Sequence, residues 1–205
     1  MKLIDISHEL NENTPSYPGD HQLKLSEDKK LNKDSCNTFL LSSGLHTGTH
    51  IDVPMHMTGD KRTAADFPLE KFTGKGVLLD VRGENIISMK PRYERSIPED
   101  SVVLLFTGFD KYYGTNEYFS KHPEVSIELG EFLINKNIRM LGMDIPSPDR
   151  FPFIFHKTLL NRDIILLENL TNLEKLLGTE EFEVMAFPLK ISAEASFVRA
   201  VCRVY

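Results

Sequence analysis

One short stretch limits the fold more than any other. His46-Thr-Gly-Thr-His50-Ile-Asp52-Val-Pro-Met-His56 places three of the chain's seven histidines and a carboxylate within eleven positions. A helix would put residues 46 and 50 on one face but carry residue 52 far round the cylinder. The β-branched residues Thr47, Thr49, Ile51 and Val53, with Gly48 and Pro54, also oppose a helix. In an extended strand, positions 46, 50, 52 and 56 share one parity and therefore one face. A straight strand would separate residues 46 and 50 by about 13 Å at roughly 3.3 Å per residue, too far to share an ion held by bonds of about 2 Å. The chain must bend, and Gly48 has the backbone freedom to do it. The stretch reads as a kinked strand or loop on which His46, His50 and Asp52 converge.

Imidazole and carboxylate together suit zinc, manganese or iron, and imidazole also shuttles protons near neutral pH. Any one of these histidines could be an ordinary surface residue. Three with an aspartate of matching parity around a glycine point to a metal-centred site. The remainder of the chain is ordinary for a globule: 40% apolar, 26% charged, 205 residues, enough for one large domain over 1–205. A net charge of −6 without a long basic run argues against nucleic acid. No apolar stretch is long enough for a bilayer span or a secretory leader, so no membrane partner is expected. The two cysteines, Cys36 and Cys202, lack metal-type spacing and imply no disulfide, which favours a reduced, cytoplasmic setting.

Strands are predicted over 1–8, 37–46, 76–81, 101–106, 138–143, 163–167, 182–189 and 197–204 from alternation or short aliphatic runs. Ser126 reads as the N-cap of a helix over 126–135, and 173–177 as a second, short helix. The Pro15-Ser-Tyr17-Pro18-Gly19-Asp20 segment is a turn signal. Many strands with few helices predict a single α/β domain with a mixed, curved sheet. Glu168 closes the apolar run Ile164-Ile-Leu-Leu167, where a carboxylate is expensive unless paired or bound to a cation. His156 reads equally as a loop histidine. His8 and His21 are expected at the surface, and His122 in an exposed loop. Asp144, Ser147 and Asp149 read either as turn formers or as support for ligands, and Arg199 as the partner of a carboxylate or the anchor of an acidic substrate.

The cluster, matched without a gap to His-x-Gly-Thr-His-x-Asp-x-Pro-x-His, resembles the signature of the metal-dependent cyclase-like hydrolases, the family of bacterial kynurenine formamidases and isatin hydrolases. Residues 5–20, Thr107-Gly-Phe-Asp110, 142–149, Glu168-Asn-Leu-Thr-Asn-Leu173 and Pro188-Leu-Lys-Ile191 are also similar, in order, over nearly the whole chain. The resemblance implies a swivelling β/β/α-like fold and a homodimer or homotetramer. It implies that His46, His50 and Asp52 bind a first divalent metal and that Asp52 and Glu168 bridge to a second, completed by His156. One or two ions would serve, zinc favoured and manganese the alternative. His56 becomes the general acid/base. Two departures stand out. Ser192-Ala-Glu194-Ala-Ser196-Phe197-Val-Arg199 replaces the family's Gly-x-Asp-Gly/Ala-Ser-Pro-x-Arg, and Tyr17 stands where kynurenine formamidases carry tryptophan before Pro-Gly-Asp.

A divalent ion lowers the pKa of bound water from near 16 to about 7 and polarises a carbonyl. The resulting expectation is hydrolysis of the C–N bond of a small amide, an N-formyl arylamine such as N-formyl-kynurenine or a cyclic amide. His56 would relay the proton to the leaving nitrogen, and Tyr17 would contact substrate. The alternatives are a lactone hydrolase or cyclodehydratase on the same scaffold, and a non-catalytic metal-dependent small-ligand binding protein. The joint presence of His56 and Glu168 favours catalysis.

Overall fold

The computed structural model describes residues 1–205. Its strands, in chain order, are β1 (Lys2–Asp5), β2 (Lys24–Lys29), β3 (Thr38–Ser42), β4 (His50–Asp52), β5 (Thr73–Asp80), β6 (Ile86–Ile87), β7 (Val102–Phe106), β8 (Glu124–Val125), β9 (Met140–Met143), β10 (Ile165–Glu168), β11 (Phe182–Met185), β12 (Ala195–Phe197) and β13 (Val201–Val204). Nine of them form one mixed sheet in the order β1-β13-β11-β5-β7-β9-β10-β4-β12. The central four, β5, β7, β9 and β10, are parallel, and the flanking pairings are antiparallel. The sheet curls, bringing the segment after β1, at one edge, against the segment after β10, while the β4–β12 pairing at the other edge continues past β12. Thr171 N donates to Ile6 O at 3.1 Å and Val198 N to Thr49 O at 3.2 Å.

The aliphatic runs predicted as strands are central because they bury both faces, as parallel strands must. In β7, Val102, Leu104 and Phe106 enter one core layer with Ile51, Val53 and Leu167, while Val103 and Leu105 enter the other with Leu141 and Leu166. The second layer is roofed by α4 (Ile127–Asn135) and α5 (Ile154–Leu160); α1 (Leu31–Asp34), α2 (Tyr93–Ser96) and α3 (Asn116–Ser120) are shorter. Ser126 caps α4 as its position predicts, its Oγ accepting from Leu129 N at 3.2 Å, a contact worth about 1 kcal/mol in such helices. The α4–α5 contact is close because Gly130 carries no side chain: a Cβ there would lie 2.9 Å from the Phe155 ring.

Several expected elements differ. The strand predicted over 37–46 ends at Ser42, because it pairs with β2 in a separate exposed hairpin, a partner hidden by the polar composition of Lys24–Lys29. The strand over 182–189 stops at Met185. The one over 197–204 divides into the end of β12 and β13, with Arg199 between them paired to Asp5. Residues 173–176 form a single 3-10 turn. Helix α5 was not anticipated, since Phe151-Pro-Phe-Ile-Phe shows no helical periodicity. No helix is long and apolar enough to cross a membrane.

Both cysteines are free thiols, Cys36 exposed and Cys202 buried in the sheet, where burial pushes its thiol up to about 12. A thiol-specific chromogenic reagent is therefore expected to titrate one thiol per native chain and two in denaturant. Two fast-reacting thiols in the native protein would contradict this packing.

Candidate metal centre

The site grows out of the pairing of β4 with β10. Residues His50 and Asp52 alternate with Ile51 and Val53, so the apolar pair enters the core and the polar pair shares the opposite face. Register then places Glu168 directly opposite His50, bringing Glu168 Oε2 to 3.6 Å from His50 Nε2. On the other flank of β4, β12 sets the small residue Ala195 opposite Asp52. Thus the 192–199 segment, where the sequence departs from the pattern it otherwise resembles, contains the edge strand that backs the cluster.

The predicted bend is at Gly48, whose φ is +66°. A side chain there would meet Leu10 Cδ2 at 2.5 Å. The turn carries His46 back over Asp52, with His46 Nδ1 2.9 Å from Asp52 Oδ1. His156 reaches the same point from α5: it is buried in a helix, not set in a loop. Its Nε2 lies 3.2 Å from Glu168 Oε1. Donor atoms of His46, His50 and Asp52 lie within 4.8 Å of one another, as do those of Asp52, His156 and Glu168. The five residues expected as ligands from sequence therefore meet in one place, with Asp52 common to both groups and His56 beside them.

Each of the three imidazoles that face Asp52 or Glu168 has its other nitrogen engaged elsewhere. His50 Nδ1 donates to Gly48 O at 2.8 Å, and His156 Nδ1 to Asp149 Oδ1 at 2.5 Å. His46 Nε2 faces Glu194 Oε1 at 3.4 Å. Outer partners of this kind fix the tautomer and aim a lone pair inward. Asp149 is itself held, accepting from Phe155 N at 2.7 Å.

Inside the cluster the polar atoms are left without donors. His50 Nε2, both carboxylate oxygens of Asp52 and Glu168 Oε1 are buried with no hydrogen-bond partner. The short N···O approaches above do not align an N–H with an oxygen. Lone pairs pointing at a common centre suit a cation and little else. The titration behaviour follows. Burial pushes His50 down to about 4, while burial and the Asp52 charge push Glu168 up, against the pull of His156. Burial opposes charge on His46, but Asp52 beside it prevails and raises it to about 9. The residues fit a divalent ion by donor type, burial and orphaned lone pairs.

The cluster floors a cavity of about 390 Å³ walled by Tyr17, Phe119, Met57, Phe153 and the Pro15–Asp20 loop. Tyr17 packs edge-on against Phe119, ring centroids 5.7 Å apart, and Ser16 Oγ meets Thr47 Oγ1 at 3.3 Å, tying that loop to the turn at Gly48. His56 follows Pro54 in a 3-10 turn, its ring centroid 4.1 Å from that of His46. It lines the cavity, and burial lowers its pKa.

Other placements differ from expectation. His122 is only 2% exposed, its Nδ1 near Pro123 O. His8 is half-buried and stacked on Tyr113 at 3.6 Å. Asp144 spans two strand ends, accepting from Thr107 N, Thr107 Oγ1 and Gly108 N. Asn169, Glu194 and Phe153 were missed as site residues. Adjacency of Asn169 to Glu168 was the only available signal.

The Cyclase family model matches residues 4–150. A kynurenine formamidase of Bacillus mycoides (strain KBAB4) is 31% identical over 205 residues, covering 98% of this chain and 96% of its own length. Among solved structures, isatin hydrolase A from Ralstonia solanacearum superposes with a TM-score of 0.89 at 22% identity, covering 100% of this chain and 92% of that one. A predicted metal-dependent hydrolase from Bacillus stearothermophilus gives 0.77 at 24% identity, with 98% and 97% covered. These two likenesses concern the fold. With most of its length matched by the family model and nearly all of it by the formamidase, the chain belongs to the Cyclase family.

Proposed function

We propose that residues 1–205 act as one metal-dependent hydrolase domain that cleaves the C–N bond of a small amide. The observation that carries this is the pair of donor groups sharing Asp52 on the floor of the cavity, with His56 in its wall. His46, His50 and Asp52 would hold one divalent ion; Asp52, His156 and Glu168 would hold a second. Zinc is favoured and manganese is the alternative. When bound, the ion supplies an activated water and a Lewis acid for the carbonyl.

The chain's own residues do the remainder. His56 takes a proton at its imidazole and returns it to the departing nitrogen. Tyr17, Phe119 and Phe153 offer flat apolar walls to a planar ring, which suits an N-formyl arylamine or a cyclic amide. The similarity to kynurenine formamidases over nearly the whole length supports an amide as the substrate. Phe39 and Leu40, well exposed on the β2–β3 hairpin, support a homodimer or homotetramer, and the free thiols support a cytoplasmic setting.

Turnover of N-formyl-kynurenine, isatin and a lactone panel by metal-loaded protein tests the reading. His56→Ala is expected to lower kcat by about 10²–10⁴-fold while zinc or manganese still binds. Tight metal binding without hydrolysis of any amide would sink it in favour of a binding protein, and turnover of lactones alone would favour the other enzyme. Chelation is expected to abolish hydrolysis and lower Tm, with both restored by zinc or manganese. A Tm indifferent to metal would count against the ligand set.

A further inference from the structure

The geometry points to a positioning residue for this centre outside the ligand set. We propose that Asn169, held from behind by Tyr118, clamps the Gly48 carbonyl and through it fixes the ring and tautomer of His50. This rests on the reading of His50 as a metal ligand.

His50 is held by a carbonyl only two residues earlier in the chain, at the left-handed Gly48. A peptide in that conformation has no side chain to anchor it. Asn169 supplies the anchor: its Nδ2 donates to Gly48 O at 3.0 Å and lies 3.4 Å from His50 Nδ1. The amide cannot be turned round, because a carbonyl only accepts, so Asn169 Oδ1 must face the other way. There it accepts from the Tyr118 hydroxyl at 2.9 Å. Tyr118 is fully buried, so this hydroxyl has no bulk water to serve it instead.

The backbone of Asn169 is fixed as well. Its φ is +56°, its N–H donates to Ile145 O at 3.1 Å, and its carbonyl accepts from Thr49 Oγ1 at 2.6 Å. Thr49 and Asn169 thus bind each other's segments twice, once through a hydroxyl and once through an amide. The same residue follows Glu168 directly. The clamp therefore closes the end of the β4–β10 pairing that sets Glu168 opposite His50, donors contributed by segments more than a hundred residues apart. With Nδ1–H committed to Gly48 O, His50 Nε2 is left as an inward lone pair.

The test uses the full chain. Zinc and manganese affinities are measured by competition with a chromophoric chelator, and histidine ¹⁵N spectra of the metal-free protein at pH 7 report the His50 tautomer. Asn169→Gly, which tolerates the left-handed backbone, is expected to weaken metal binding about 10–100-fold and to mix the His50 tautomers. Tyr118→Phe removes only the hydroxyl behind the amide and should show both effects in smaller measure, whether or not the glycine variant folds. Unchanged affinity overturns the proposal, and so does weakened affinity with an unchanged tautomer. Failure of the wild-type chain to bind either metal, or of His50→Ala to weaken binding, overturns the metal reading and this proposal with it.

Discussion

Asp52 is the constraint around which the molecule is arranged. It is a buried carboxylate with neither oxygen hydrogen-bonded, an arrangement that is destabilising in an apolar interior unless opposite charge is supplied. Among the side chains around it, only the imidazoles can carry such charge. His46 and His50 face the carboxylate, and Glu168 and His156 stand behind the latter. Outside them, Gly48 O, Asp149 and Glu194 turn the imidazoles so that the other ring nitrogen of each points inward. In the metal-free state, protons on His46 and His156 balance part of the negative charge, since the nearby carboxylates raise both groups despite burial. A divalent ion would displace those protons and satisfy the orphaned atoms at once.

The scaffold delivers this cluster with little freedom to misplace it. Strand β4 is only three residues long, yet it is paired on both sides, to β10 and to β12. A slip of one residue would send His50 and Asp52 into the core and expose Ile51 to the cavity, so register is enforced by burial. The apolar layer below, with Ile51, Val53 and Leu167, therefore contributes to function by forbidding that slip. Helix α5 is placed by its own packing on Gly130, and this carries His156 to the cluster from the opposite side.

Which parts of this were legible in the sequence follows from the range of the interactions. Parity and the bend in 46–56 depend on neighbours along the chain, and both could be read directly: a left-handed Gly48 and a common face for His50 and Asp52. Glu168 betrayed itself by ending an apolar run. By contrast, the burial of His122 and His8 is decided by packing from distant segments, and local composition misassigned both. The β2–β3 hairpin was hidden because neither of its faces enters the core, so β2 lacks the alternation that marks a half-buried strand. Helix α5 escaped for a related reason: its buried face is filled by Phe155, His156 and Leu159, among which a histidine breaks the apolar pattern. The polar residue that reaches the cluster interrupts the periodicity at that position.

The same division explains where selectivity resides. The floor of the cavity is built on β4, β10 and α5, elements locked by register and core packing. Its walls come largely from connections: the Pro15–Asp20 loop, Phe119 at the end of α3, and Phe153 just ahead of α5. Loops can change residues without disturbing the pairing that holds Asp52. Tyr17 and the 192–199 segment show the two cases. Tyr17 projects from a loop into the cavity, so a substitution there alters the shape of the cavity wall. The 192–199 segment departs from the family's pattern more extensively, yet its backbone still pairs with β4 and leaves a small residue opposite Asp52. Strand pairing is made by main-chain groups and tolerates many sequences, provided the residue facing the carboxylate remains small. Divergence there is compatible with an intact cluster around Asp52, whereas divergence in the aromatic wall changes the shape of the cavity.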